Sequence, residues 1–64
     1  MIEVGQLRRW TYDGPFTGKC FLVLEHSPLP LYTGRVDDGW TIMESGIEPF
    51  WEEAVHIEES SEPV

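Results

Sequence analysis

The sequence predicts one small all-β domain of five or six short strands that close into a barrel. Apolar and polar residues alternate at period two in several short runs, and residues that favour turns separate those runs. No segment keeps the spacing of an amphipathic helix over a dozen positions. A flat sheet of this size would leave an apolar face and two edges in water, so closure is expected.

The chain length of 64 residues allows one compact unit with a modest core. We expect residues 1–57 to form the barrel and residues 58–64 to form an acidic C-terminal tail. Cys20 is the only cysteine, which excludes an internal disulfide, and its apolar neighbours predict a buried structural thiol. Eight aromatic residues must therefore supply much of the buried area.

The first half of the chain predicts two strands joined by a long loop. Residues 2–10 alternate as a strand does, with a bend at Gly5. Two glycines, a proline and an aspartate make residues 12–18 a loop. Residues 19–25 are apolar on both faces, which is typical of a central strand.

The second half predicts a connector and three or four short strands. Pro28 and Pro30 make residues 27–31 an extended connector. Strands are expected at residues 32–36 and 40–44, on either side of a turn at residues 37–39. After a second turn at residues 45–46, Pro49 places residues 47–51 in an edge strand. A single 3-10 turn at residues 51–55 then precedes a last strand at residues 55–57.

The net charge of −8 is concentrated in the C-terminal third. Four basic and five acidic residues up to Met43 give −1, and the remaining −7 follows with no Lys or Arg. This field disfavours direct binding to nucleic acid or anionic lipid. Arg8 and Arg9 are expected at the surface, paired with the acidic C-terminal residues. Neither a leader peptide nor a membrane span is expected, and synthesis is expected in a reducing host cytoplasm.

No residue pattern indicates an enzyme, a cofactor or a metal site. Cys20 has no neighbouring base, and His26 and His56 lack the spacing of metal ligands. Asp37 and Asp38 are adjacent and precede a glycine, which indicates a solvated turn. We therefore predict a non-catalytic protein.

Five residues around the second hairpin are candidate protein-binding residues. Three large rings near one hairpin exceed what a tiny core can enclose, and carboxylates follow them directly. The alternative is that the rings serve the core alone. The candidates are Trp40, Phe50, Trp51, Glu52 and Glu53.

The strand order resembles that of an SH3-like small barrel. The runs Val-Gly-x-Leu-Arg-Arg-Trp, Gly-Lys-x-Phe-Leu-Val-Leu-Glu, Gly-Trp-Thr-Ile and Phe-Trp-Glu-Glu are similar to small bacteriophage proteins of SH3-like type, over residues 2–57. The resemblance implies the barrel fold and a phage origin. The Ala-Leu-Tyr-Asp-Tyr run of eukaryotic SH3 domains is absent, so binding of proline-rich peptides is not expected.

Two functions follow as hypotheses. The first is a phage-type accessory protein that binds another protein, for example a virion component such as a capsid decoration or a head–tail factor, with the virion as its final location. The alternative is an acidic mimic of DNA that occupies the basic cleft of a host enzyme. A homo-oligomer is left open.

Overall fold

The computed structural model describes residues 1–64 and is mostly β-structure with one short helix. In chain order the elements are β1 (Leu7–Trp10), β2 (Cys20–His26), β3 (Leu29–Pro30), β4 (Val36–Asp37), β5 (Gly39–Glu44), β6 (Phe50–Glu53), α1 (Ala54–Ser60) and β7 (Ser61–Pro63). The prediction of a chain dominated by short strands is confirmed at this level.

Five strands form the main sheet in the order β6-β5-β2-β1-β7, and all neighbours are antiparallel. The sheet does not close, because β6 and β7 are its two edges and α1 joins them. The closed ring expected from the sequence is therefore not observed. Pro49 directly precedes the edge strand β6, as its missing N–H predicts.

The core lies on one face of this sheet. Period-two alternation in β2 places Phe21 and Val23 on that face, where they are fully buried with Ile42 and Ile57. Trp10 completes one side of the cluster. These rings and branched side chains supply the apolar burial on which a chain of this length depends.

Two predictions about β1 and β2 are wrong. Cys20 begins β2 on the opposite face and is exposed, so it is not a buried thiol. The first strand starts at Leu7 instead of residue 2, because the chain turns at Val4 and Gly5. Gly5 has a φ of 83°, a conformation that glycine adopts without strain.

The end of the chain differs most from its prediction. In place of a 3-10 turn and a strand at residues 55–57, residues 54–60 form the α-helix α1. Ala54 and Ile57 are one helical turn apart and both face the core, whereas Val55 is 56% exposed. The backbone N–H of Ala54 donates to the Asp38 carbonyl oxygen at 2.8 Å, which fixes where the helix starts.

Residues 58–64, predicted as a polar tail, contain the last turn of α1 and the strand β7. β7 pairs with β1 through Arg8↔Pro63, Arg9↔Glu62 and Trp10↔Ser61. Ser61 is buried, so this segment is part of the packed unit. The helix α1 is too short and too polar to cross a membrane.

A separate two-stranded sheet stands outside the core. β3 pairs with β4, and the turn lies at residues 31–35, not at residues 37–39 as predicted. Gly34 has a φ of 80°, which favours the turn there. We call residues 28–37 the arm. Its residues 28–36 are all exposed, including Tyr32 at the tip.

Candidate functional site

A cavity of about 290 Å³ opens at the end of the sheet where β5 finishes and β2 begins. Aromatic rings and two carboxylates surround it, and we call it the aromatic pocket. Its lining consists of Trp10, Tyr12, Phe16, Glu44, Ile47, Phe50, Glu52 and His56.

The loop between β1 and β2 supplies one wall of the aromatic pocket. It carries Tyr12 and Phe16, and the Thr17 hydroxyl holds its backbone in place. That hydroxyl contacts the carbonyl oxygens of Tyr12 and Gly14 and accepts the Gly14 N–H at 2.8 Å. The loop rings are therefore presented by a locally ordered turn.

Trp10 is the centre of an aromatic cluster. Its ring centre lies 4.4 Å from that of Phe21, 5.0 Å from that of the stacked His56 and 5.6 Å from that of Tyr12, whose ring is edge-on to it. Because β1 alternates, Trp10 points to the core face, where its inner side packs on Phe21. The rings of Tyr12, Phe16 and Phe50 complete the lining, so the pocket offers aromatic surfaces to a ligand.

Glu44 is the most unusual residue of the site. Its side chain is buried, with only 7% of the residue exposed, and one carboxylate oxygen accepts the indole N–H of Trp10 at 2.9 Å. No Lys, Arg or His side chain forms an ion pair with it. A buried carboxylate without a counter-charge is costly. Glu44 therefore makes the aromatic pocket attractive to a cation.

Glu52 provides the second carboxylate of the pocket. It lies 2.9 Å from Nδ1 of His56, one helical turn along the chain. The contact holds the imidazole against Trp10, so it helps to set the shape of the wall. Two carboxylates and no Lys or Arg line the pocket, and the Lys19 ammonium lies 5.5 Å from the ring centre of Phe16, one of the lining residues.

Arg8 is buried, contrary to the prediction that it lies at the surface. Its Nε donates to the Ser61 hydroxyl at 2.8 Å and another nitrogen donates to the Ser61 carbonyl at 3.0 Å. A third guanidinium nitrogen donates to Gln6 at 3.0 Å. These bonds tie β1 to β7, so Arg8 acts as a structural residue.

Arg9 lies on the opposite face of β1 and behaves as predicted. It donates to the Glu62 carboxylate at 2.7 Å across the β1–β7 pair. The hydrogen bond to Glu62, followed by the attraction between the two charges, raises the pKa of Arg9 above its ordinary value. The pair is exposed to solvent, so its contribution to stability is small.

The structure does not bring the five predicted binding residues together. Phe50 and Glu52 alternate along β6 and both line the aromatic pocket. Trp51 lies between them on the other face, where its indole donates to the Ser27 carbonyl oxygen at 2.7 Å and covers Gly39. Whether any of these residues binds a protein stays a prediction.

Trp40 and Glu53, the other two predicted binding residues, both lie outside the aromatic pocket. Trp40 packs partly against the core and lies 4.6 Å from the His26 ring, at the base of the arm. Glu53 is exposed at the start of α1 and lies outside the pocket. His26 contacts Asp38 at 2.5 Å, which connects the two ends of the arm.

Sequence reasoning missed Trp10, Tyr12, Phe16 and Glu44 as members of one site. The signal was partly present, since alternation in β1 and β5 puts Trp10 and Glu44 on core-facing positions. Their meeting depends on β2, whose Phe21 pairs with Arg8 on one side and with Glu44 on the other. This register joins residues far apart in the sequence.

The glutamates of the C-terminal third do not form one uniform free surface. Glu44 is buried, Glu52 contacts His56, Glu62 pairs with Arg9, and Glu58 lies 3.9 Å from the chain's amino terminus. Mimicry of DNA stays a prediction, and Gln replacements of Glu52, Glu53, Glu58 and Glu59 test it.

The aromatic pocket contains the groups that bind a cationic ligand with an apolar part. It offers π-faces and carboxylates, and its lining includes no serine, threonine, cysteine or lysine nucleophile. No group of three or more His, Cys, Asp or Glu side chains is arranged to hold a metal ion. Comparisons with protein-family models, curated proteins and solved structures found no match.

Proposed function

We propose that this chain is a non-catalytic binding domain that holds a basic side chain of a partner protein in the aromatic pocket. The observation that carries the proposal is the buried Glu44 carboxylate, which faces a ring-lined cavity and has no cationic partner. A guanidinium or ammonium group placed there would supply the missing charge. The same group would lie over ring faces, whose quadrupole attracts cations.

We also propose that the architecture is SH3-like. The first four strands of the main sheet, β1, β2, β5 and β6, follow one another as an antiparallel meander, and the fifth, β7, returns beside β1. A short helix precedes that last strand, and a long loop follows the first. This order of elements supports the proposal. In an SH3-like reading, the open sheet is a barrel in which the two edge strands β6 and β7 are joined by α1 and not by hydrogen bonds.

An arginine is the side chain that fits the pocket best. Its planar guanidinium can stack on a ring while its N–H groups reach carboxylates, and it loses less hydration than an ammonium does. Glu44 and Glu52 offer acceptors, and Trp10 and Phe50 offer apolar surface. The excess of negative charge over the whole chain steers a basic partner toward it.

The experiment is a titration of ¹⁵N-labelled protein with a short glycine peptide that carries one central arginine. Each of the three tryptophans contributes one indole N–H signal. We expect the signal of Trp10 to shift, because its N–H donates to Glu44, and that of Trp51 to stay, because it lies on the other face. A peptide with citrulline in place of arginine has the same shape and no charge, and it should cause no shift.

Two adjacent glutamates provide a matched pair of variants. Glu52→Gln removes a pocket charge and should weaken binding of the arginine peptide about threefold to tenfold. Glu53→Gln makes the same change outside the pocket and should leave the affinity within about twofold. Equal binding of the arginine and citrulline peptides, or equal losses in the two variants, would refute the proposal. The phage origin and a virion partner stay predictions.

A further inference from the structure

Arg35 is the one basic side chain of the molecule that no other group engages. Arg8 is hydrogen-bonded to Ser61, Arg9 is paired with Glu62, and the Lys19 ammonium lies 5.5 Å from the ring centre of Phe16. Arg35 is exposed on the arm, and only its backbone carbonyl accepts a bond, from the N–H of Leu31. The molecule thus has one free cation and one buried carboxylate that lacks a cation.

The arm exposes several apolar side chains to solvent. Leu29, Leu31, Tyr32 and Val36 are exposed, and Tyr32 is fully open to solvent. A hairpin of two short strands is only marginally stable by itself. The arm carries one positive charge, on Arg35, and one negative charge, on Asp37 at its end, and its fully exposed part, residues 28–36, has a charge of +1 in a chain of −8. The arm therefore combines exposed apolar side chains with an exposed guanidinium, which complements the rings and carboxylates of the aromatic pocket.

The base of the arm and the Glu44 carboxylate lie at opposite ends of β5, whereas Glu52, the second carboxylate of the pocket, lies beside Trp40 near the start of that strand. The arm leads into Gly39, where β5 starts, and Glu44 ends the strand on the pocket side. Five steps of about 3.3 Å separate these two residues by about 17 Å. The Arg35 side chain makes no hydrogen bond or ion pair within its own chain. A contact between Arg35 and Glu44 is therefore expected between two molecules and not within one.

We infer that the arm of one copy inserts Arg35 into the aromatic pocket of a second copy, which joins the chains head to tail. This inference rests on the proposed function and names the partner of that site. Arg35 would lie against the rings near Glu44 and Glu52, and Leu31 and Tyr32 would cover the apolar rim. Because the two contacting surfaces differ, each added copy leaves one arm and one pocket free, so growth continues or closes into a ring.

The test measures the mass of the full chain in solution as its concentration rises, at about 0.15 M salt to screen the like charges. The wild-type chain should exceed its monomer mass of 7.4 kDa, and Arg35→Gln should stay at that mass. Arg35→Lys keeps the charge without the planar group and should weaken association at least about threefold. Glu59→Gln changes an exposed charge of α1 outside the pocket and should associate as the wild type does.

Mixing two defective variants distinguishes this geometry from a symmetric dimer. Arg35→Gln lacks the arm cation, and Glu44→Gln lacks one pocket charge, so at the lowest concentration at which the wild type associates each should be monomeric alone. Their mixture should form pairs of twice 7.4 kDa and nothing larger, because only one arm and one pocket remain functional. A monomeric wild type, association that Arg35→Gln leaves unchanged, or a mixture without pairs would overturn the inference.

The arginine peptide separates failure of this inference from failure of the proposed function. If Arg35→Gln binds the peptide while the wild type stays monomeric, the pocket binds basic groups and the second copy is not its partner. If neither chain binds the peptide and both stay monomeric, the inference and the proposed function both fall. If the peptide dissociates wild-type oligomers, the arm and the peptide compete for one site, as we infer.

Discussion

Replacing Glu44 by Gln separates the structural role of this residue from its binding role. A glutamine keeps an oxygen that can accept the Trp10 indole N–H, now bonded at 2.9 Å, and removes the negative charge. We therefore expect Glu44→Gln to fold as the wild type does and to bind cations more weakly.

The expected size of both effects follows from the surroundings of the carboxylate. A cation about 5 Å away gains about 3 kcal/mol at an effective dielectric constant of about 20. Desolvation of the cation offsets part of this, which leaves a loss of about 1–2 kcal/mol, or about fivefold to thirtyfold in affinity. The free energy of unfolding should stay unchanged or rise by about 1 kcal/mol, because a buried charge without a counter-ion is removed.

The assay pairs a peptide titration with urea unfolding followed by tryptophan emission, and Glu44→Ala is the matched variant. Alanine removes the acceptor as well as the charge, so the Trp10 N–H loses its partner and the free energy of unfolding should fall by about 1–3 kcal/mol. The reasoning is refuted if Glu44→Gln binds the arginine peptide as tightly as the wild type, or if Gln and Ala destabilise the fold equally.

Three further changes test the packing. Gly39→Ala should lower the free energy of unfolding by about 1–3 kcal/mol, because an added Cβ would lie 2.2 Å from Cε2 of Trp51; an unchanged urea midpoint would contradict that contact. Ser61→Ala should cost about 1–3 kcal/mol, because Arg8 loses an acceptor at 2.8 Å while it stays buried; thermal unfolding followed by circular dichroism measures the loss, and Ser61→Thr, which keeps the hydroxyl, should recover part of it. Ile57→Ala should cost about 2–5 kcal/mol, a large share of the roughly 3–10 kcal/mol expected for a chain of this length; a well-dispersed amide spectrum with native thermal stability would show that α1 does not anchor the core.

The strands of the main sheet could be predicted because their signals are local. The run of strand-forming apolar residues in β2, the alternation in β5 and the proline before β6 mark these strands within a few residues of where they lie. The helix α1 could not be predicted in the same way. Val55, His56 and Ile57 alternate between apolar and polar over only three residues, and such a short run does not distinguish a strand from one helical turn. In the folded chain, the helix is favoured because it buries Ile57 against the core.

The aromatic pocket was predicted only in part, because its walls come from segments far apart in the sequence. Phe50 and Glu52 were found by their proximity to other rings and carboxylates. In the sequence Glu44 is one of several acidic residues in the C-terminal third, and nothing local indicates that its side chain is buried beside Trp10. Cys20 shows the converse error, since an apolar run does not tell which of its two faces is covered.

The way α1 joins its neighbours limits how the chain length can change. β6 ends at Glu53, α1 begins at Ala54 and ends at Ser60, and β7 begins at Ser61, so no spacer residue lies on either side. Each inserted helical residue would turn everything after it by about 100°. A single inserted residue would move the Ser61 hydroxyl away from the Arg8 guanidinium and shift the pairing of β7 with β1 by one position. The helix should therefore tolerate insertions only of about a full helical turn. A reporter peptide grafted into this protein belongs at residues 32–34, where the chain is exposed and only the register of the small β3–β4 sheet depends on the turn.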